Sequence, residues 1–273
     1  MDAIHEKKSI LEKYLAEQES AAIAYSSGVD STFLLKVAKD TLGDKVIAIT
    51  ASSALIPERD LEEAKTFCES EGIVHVILHH DELSVDGFRQ NPPDRCYICK
   101  KDLFTKMKQK ASEYGIDHLM EGSNVDDEGD YRPGMRAIAE LGILSPLKKA
   151  GLTKADIRAL SEEMGLPTWN KPSFACLASR FVYGEEITKE RLYMVDKGEE
   201  LLKDLGFTQF RVRVHGNIAR IELLPEDIRK ITEDGIRDKV SSTLKDLGFD
   251  YVTLDLMGYR TGSMNETLDK DKR

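Results

Sequence analysis

The first half of the chain alternates short apolar runs with stretches of helical period. Residues 21–25 are apolar throughout, and Phe33, Leu34, Leu35, Val37 and Ala38 then recur at helical spacing. Residues 45–50 form a second apolar run, 57–71 a helix, 75–78 a third run and 118–121 a fourth. Short runs that are apolar on both sides read as strands buried on both faces, as in a parallel sheet. The alternation predicts an α/β fold, a doubly wound parallel sheet that binds ligand at the carboxyl ends of its strands. The loops after Tyr25, Thr50 and Glu121 should then converge on one crevice. Between the third and fourth runs lies a polar loop, residues 81–95, with Pro92-Pro93. Inside a compact domain a loop of that length marks function.

The second half changes character. Thr153, with Asp156 three residues on, reads as the N-cap of a helix that runs to Glu163 and is stopped by Gly165. Residues 167–181 are irregular, and 188–205 read as a helix with a charged outer face. Residues 210–215 alternate with period two, and Gly216-Asn217 turns them into a partner strand, 218–223. A helix from Pro225 and a strand over 251–256 complete a smaller α+β domain. The boundary falls near residue 170, giving domains 1–170 and 171–273.

Composition narrows the setting. Of the 273 residues, 41% are hydrophobic, enough for a substantial core, and no run is long enough to span a membrane. The amino-terminal residues carry no apolar signal core, so the expected location is the cytoplasm. A net charge of −10 argues against a broad nucleic-acid footprint. Four cysteines in a chain of this length do not make a disulfide scaffold.

The chemistry concentrates at the strand ends. Ser26-Ser27-Gly28-Val29-Asp30-Ser31 is a tight turn between a strand and a helix N-terminus, where backbone N–H groups and the helix dipole favour phosphate. Ser26 and Ser31 add hydroxyl donors, and Asp30 is placed to hold Mg2+ against the phosphates. Glu121-Gly122-Ser123-Asn124-Val125-Asp126-Asp127 follows the fourth strand. Gly122 permits close backbone approach, and Asp126 and Asp127 are candidate metal carboxylates. Thr50 and Ser52, at the end of the second strand, stand where such folds hold an adenosine. Cys96 and Cys99 bring two thiols to the start of a helix over 100–111, a position that favours thiolate. Cys176 follows in an irregular segment, whereas Cys68 is in phase with Leu61 and Ala64 and reads as packing. For Cys96, Cys99 and Cys176 three readings stand: a redox pair, zinc with His79 or His80 as fourth ligand, or a 4Fe–4S cluster with one open iron.

The turn resembles the S-G-G-x-D-S pyrophosphate loop of the PP-loop ATP pyrophosphatases, with Ser27 in place of the first glycine. Any positive-φ demand there must be relaxed or tolerated. The family also carries a similar segment to residues 122–127 over the phosphates. The chain further contains Asp130-Tyr131-Arg132-Pro133-Gly134, Thr168-Trp169-Asn170-Lys171-Pro172, Ser179-Arg180-Phe181-Val182-Tyr183-Gly184 and Ala219-Arg220-Ile221-Glu222-Leu223. With residues 251–256, these resemble the LarE family, ATP-dependent sulfurtransferases of nickel-pincer nucleotide synthesis, over nearly the full length. The resemblance implies adenylation of a carboxylate on pyridinium-3,5-biscarboxylic acid mononucleotide, then conversion to a thiocarboxylate. One branch sacrifices a single cysteine at the position matching Cys176, which becomes dehydroalanine. Another matches Cys96, Cys99 and Cys176 and binds a 4Fe–4S cluster carrying an extra sulfide, and this chain has that three-cysteine pattern.

The resemblance places the substrate phosphate at Arg211 and Arg213, which share a strand face with His215; a solvated charged face is the plainer alternative. Ser179 and Arg180 are further substrate candidates. Glu199 and Glu222 are candidates for a metal or inter-subunit role, though isolated glutamates usually face solvent, and Trp169 is expected to pack at the domain junction. Assembly as a homo-oligomer through the smaller domain is a family-based expectation, and the sulfide donor is not indicated. Rival readings are a tRNA thiolase, an amide-forming ligase of the NAD synthetase type, and a zinc-stabilised nucleotide sensor. The acidic balance disfavours the first, and the loop cysteines have no purpose in the second.

Overall fold

The structure is a computed structural model and describes residues 3–127, 133–172, 175–260 and 262–264. Asp130, Tyr131 and Arg132 of the motifs above, and Ser173 and Phe174 of the irregular segment, lie outside the described residues. The chain divides into two compact units, Met1–Asp81 with Cys96–Phe174, and Glu82–Arg95 with Ala175–Arg273. A single cut at residue 170 would leave Glu82–Arg95 with the first unit; its contacts put it in the second. Asn91, fully buried, donates from Nδ2 to the Val182 carbonyl at 2.6 Å, and Gly184 N donates to the Asn91 carbonyl at 2.9 Å.

The first unit runs α1 (Ala3–Ala16), β1 (Ala21–Ala24), α2 (Val29–Leu42), β2 (Val46–Ser52), α3 (Glu58–Ser70), β3 (Val74–His79), α4 (Arg95–Glu113), β4 (Leu119–Met120), α5 (Pro133–Glu140), α6 (Pro146–Lys149) and α7 (Lys154–Glu163). Its four strands are parallel in the order β3-β2-β1-β4. The residues of β1 and β2 are largely apolar on both sides because both faces are covered, whereas on the edge strand β3 only Val76 is buried. Ala21, Ile23, Val46 and Ala48 enter one core with Leu34, Leu35 and Leu160, while Ala22, Ile47, Ile49 and Val76 enter another with Phe104, Met107 and Ile138. Helices on both faces of a parallel sheet make it doubly wound. Thr153 caps α7 as a capping box with Asp156, satisfying amide groups that the first turn leaves without partners.

The second unit runs α8 (Lys189–Asp204), β5 (Phe210–His215), β6 (Ile218–Leu223), α9 (Ile228–Ile231), α10 (Asp234–Asp246) and β7 (Tyr251–Leu254). β5 and β6 form the antiparallel hairpin that Gly216 turns at φ 57°, and β7 adds in parallel to β6. The helix expected from Pro225 is a short turn and two separate helices, broken between Ile231 and Asp234. Among the described residues no helix is long and apolar enough to cross a membrane.

Candidate functional sites

At the end of β1 the chain must reverse into α2 within a few residues. Ser27 makes the turn, with φ 52° and 1% exposure, so the left-handed conformation is tolerated there rather than relaxed. Gly28 has φ −81° and acts as N-cap, its carbonyl accepting from Thr32 N at 2.9 Å. Val29 is buried at the head of the helix. Ser26 Oγ and Ser31 Oγ lie 3.1 Å apart, and Ser31 Oγ donates to the Gly28 carbonyl at 3.3 Å.

The second motif meets this turn. Asn124 Nδ2 donates to Asp30 Oδ1 at 3.2 Å. A Cβ on Gly122 would stand 3.0 Å from Ser31 N and 3.2 Å from Asp30 Cβ, so its close approach is to the loop's own backbone. Asp126 N donates to Asn124 Oδ1, and Asn124 N donates to Asp127 Oδ2, both at 2.9 Å. Lys154, which sequence reasoning passed over, joins the two motifs: its ammonium pairs with Asp30 Oδ2 and its backbone N donates to Asp126 Oδ2 at 2.8 Å. Its only sequence signal was its position directly after the N-cap Thr153. Asp30 and Asp126 thus bond the two ends of one lysine, its ammonium and its backbone N. Among the described residues no three His, Cys, Asp or Glu side chains are grouped to hold a metal ion. Thr50 is buried, with Oγ1 2.8 Å from His75 Nε2, and Ser52 ends β2 with its carbonyl accepting from His80 N.

Cys96 and Cys99 lie inside the first turn of α4, which begins at Arg95 rather than near residue 100 because Arg95 N already donates to the Pro92 carbonyl at 3.0 Å. Their spacing of three puts both half-buried thiols on one helix face, and neither is in a disulfide. Cys176 is exposed and in no disulfide, at the head of the short turn Leu177–Arg180. Cys68 is fully buried, and burial, with Glu69 adding to it, pushes its thiol up to about 12, so it is packing. His80, a candidate fourth ligand, is buried with Nε2 2.6 Å from Asp102 Oδ2. Burial raises the Asp102 carboxyl, but Lys106 and His80 together hold it below its usual range.

The arginines of the second unit are not a solvated face. Arg180, Arg211 and Arg213 are 1%, 3% and 5% exposed, and Glu199 and Glu222 are fully buried rather than solvent-facing. Arg180 grips Glu199 through Nε and Nη2 at 2.8 and 2.7 Å, and its Nη1 donates to the carbonyls of Ala175 and Cys176 and to Ser179 Oγ. Burial disfavours the Glu199 carboxylate, yet Arg180 outweighs it and holds Glu199 ionised. Arg213 donates to Glu222 Oε2 from Nε and Nη2 and to the Ser179 carbonyl from Nη1 at 2.8 Å. Arg211 stacks 5.1 Å from the Tyr259 ring, and burial followed by repulsion from Arg180 brings its guanidinium down to about 10. Burial, then Arg220, likewise depresses His215. Trp169 is 37% exposed rather than packed away, and its carbonyl accepts from Arg158 Nη1 at 2.6 Å.

A doubly wound parallel sheet, a serine–glycine turn into a helix and an acidic turn bonded to it through Asp30 and Asn124 define a PP-loop ATP pyrophosphatase. No family model matches the chain. It is 39% identical over 271 residues to the pyridinium-3,5-bisthiocarboxylic acid mononucleotide synthase of Lactiplantibacillus plantarum, covering 99% of this chain and 98% of that protein. An uncharacterized protein of Synechocystis sp. is 43% identical over 268 residues, 98% of this chain and all of the other. A tRNA-specific 2-thiouridylase of Rhizobium leguminosarum is 26% identical over 218 residues, 63% of this chain and 54% of its own. The chain belongs to the LarE family of ATP-dependent sulfurtransferases.

Proposed function

We propose that the chain adenylates a carboxylate of pyridinium-3,5-biscarboxylic acid mononucleotide and converts it to a thiocarboxylate. The observation that carries the reading is the Asp30–Asn124 bond, which joins the two nucleotide motifs at the head of α2, in a chain alike over 99% of its length to a synthase of the bisthiocarboxylic acid product. A carboxylate oxygen is a poor leaving group. Attack of that oxygen on the α-phosphorus of ATP breaks the bond to the β-phosphate, and pyrophosphate departs under Ser26, Ser27, Gly28, Val29 and Ser31. Asp30 and Asp126 would hold Mg2+, which when bound would neutralise the phosphate charge. Thr50 and Ser52 border the adenosine. Sulfur then attacks the acyl carbon and AMP leaves.

Arg211 and Arg213, with Ser179 and Arg180, are assigned to the substrate phosphate. Arg180 and Arg213 already have carboxylate partners, whereas burial and then Arg180 depress Arg211, and a dianion would relieve that repulsion. Cys96 and Cys99, three residues apart on one helix face and in no disulfide, with Cys176, are the thiols that would hold a 4Fe–4S cluster. Such a cluster supplies an iron on which sulfide can be carried, so that no protein sulfur is consumed. The exposure of Cys176 favours a second reading, in which Cys176 gives up its own sulfur. The small-molecule partner is thus a nucleotide, the location cytoplasmic, and the assembly a homo-oligomer through the smaller unit. Asp30→Ala should abolish substrate-dependent pyrophosphate release and leave iron content unchanged, while Cys99→Ala should do the reverse. Full sulfur transfer by Cys99→Ala, with loss only in Cys176→Ala, would overturn the cluster and establish the sacrificial route.

A further inference from the structure

Ser27 is a buried serine in the left-handed region, at the residue that aims the first amide groups of the phosphate turn. Non-glycine residues persist there only where their surroundings over-determine them. Three contacts do so. Ser27 Oγ donates to the Asp60 carbonyl at 3.0 Å, and Lys171 Nζ donates to the Ser27 carbonyl at 3.2 Å and to Ser27 Oγ at 3.4 Å. The same ammonium lies 3.1 Å from Asp60 Oδ1 and 2.6 Å from Glu63 Oε2, which draw it to the head of α3. Lys171 is fixed in turn by Arg158 on α7, whose Nη2 donates to the Lys171 carbonyl at 2.8 Å. The adenylation chemistry assigns Lys171 no role.

We propose that Lys171 is a positioning residue for nucleotide binding: its ammonium holds the Ser27 peptide in the left-handed form that opens the turn to phosphate. A glycine adopts that form without help, so the dependence on Lys171 follows from the serine this chain carries. The inference rests on reading the Ser26–Ser31 turn as the ATP site.

The test is a double-mutant cycle on the full chain, with the MgATP dissociation constant measured by equilibrium dialysis and melting temperature read in parallel. Lys171→Met is expected to weaken MgATP about tenfold, the lower end of what a strained backbone residue stores. In a Ser27→Gly background the same substitution should cost about threefold or less, because glycine needs no latch. Lys171→Arg should retain most of the affinity. Equal losses in the two backgrounds would overturn the inference, since a direct phosphate contact or a plain tie to α3 would not distinguish serine from glycine. No loss in either would also overturn it. If Lys171→Met does not fold, Lys171→Gln takes its place, and failure of both to fold would make Lys171 a fold residue and end the proposal. A wild-type chain that binds no MgATP would overturn the nucleotide reading itself, and the inference with it.

Discussion

At the scale of single residues, burial decides what the charged side chains do. Arg180 and Glu199 are both fully enclosed, so removing one partner leaves the other charge without its counterion. Arg180→Ala should therefore lower stability by about 3–5 kcal/mol, measured by denaturant titration, and loosen the Ala175–Cys176 backbone that Arg180 holds. A loss below about 1 kcal/mol would mean that solvent reaches Glu199. His75 and His215 carry a pH dependence of defined sign. Burial sets both below the ordinary 6.5, so the unfolded chain takes up protons at a pH where the folded chain does not. Their contribution is fully present above pH 6.5 and declines as the pH falls through that value toward the lower folded values. Unfolding midpoints read from neutral pH down to mildly acid pH should show this, and replacing His75 by Gln should flatten the slope. The serine at position 27 and the shared face of Arg211 and Arg213 were legible as positions in the sequence. Their burial was not, because a period-two pattern names two faces without saying what covers them. Glu222, the partner of Arg213, comes from β6, and Glu199, on α8, is the partner of Arg180.

At the scale of elements, most of the first unit was legible. Runs apolar on both sides marked β1 to β3, and the Thr153–Asp156 cap placed the start of α7 to the residue. Strand order was not, since local periodicity carries no information about which strand lies beside which. The start of α4 was misplaced because Pro92 and Pro93 obscure a helix that Arg95 already opens. The break between α9 and α10 has no glycine or proline to announce it. Packing between elements also rests on small residues. Gly198 on α8 has Leu244 Cδ2 of α10 2.7 Å from where a Cβ would stand, and Leu244 is fully buried. Gly198→Ala should cost about 1–3 kcal/mol by overpacking, read from the denaturant midpoint, and leave MgATP affinity of the folded protein unchanged.

At the scale of the whole molecule, the long polar loop was legible as a loop, but its allegiance was not. Asn91 secures Glu82–Arg95 to the second unit through contacts about 90 residues away in sequence. The same loop leads directly into Cys96 and Cys99, so the thiol-bearing turn follows a segment anchored outside its own unit. In the proposed chemistry ATP activates a carboxylate and sulfur replaces its oxygen. The most direct measurement is mass spectrometry of pyridinium-3,5-biscarboxylic acid mononucleotide after incubation with the protein and MgATP, with pyrophosphate counted in the same sample. The expected result is exchange of oxygen for sulfur, one pyrophosphate released per exchange, and Cys176 retaining its sulfur when the protein is supplied with iron and sulfide. Pyrophosphate released without any sulfur gained, or sulfur gained without ATP, would contradict it.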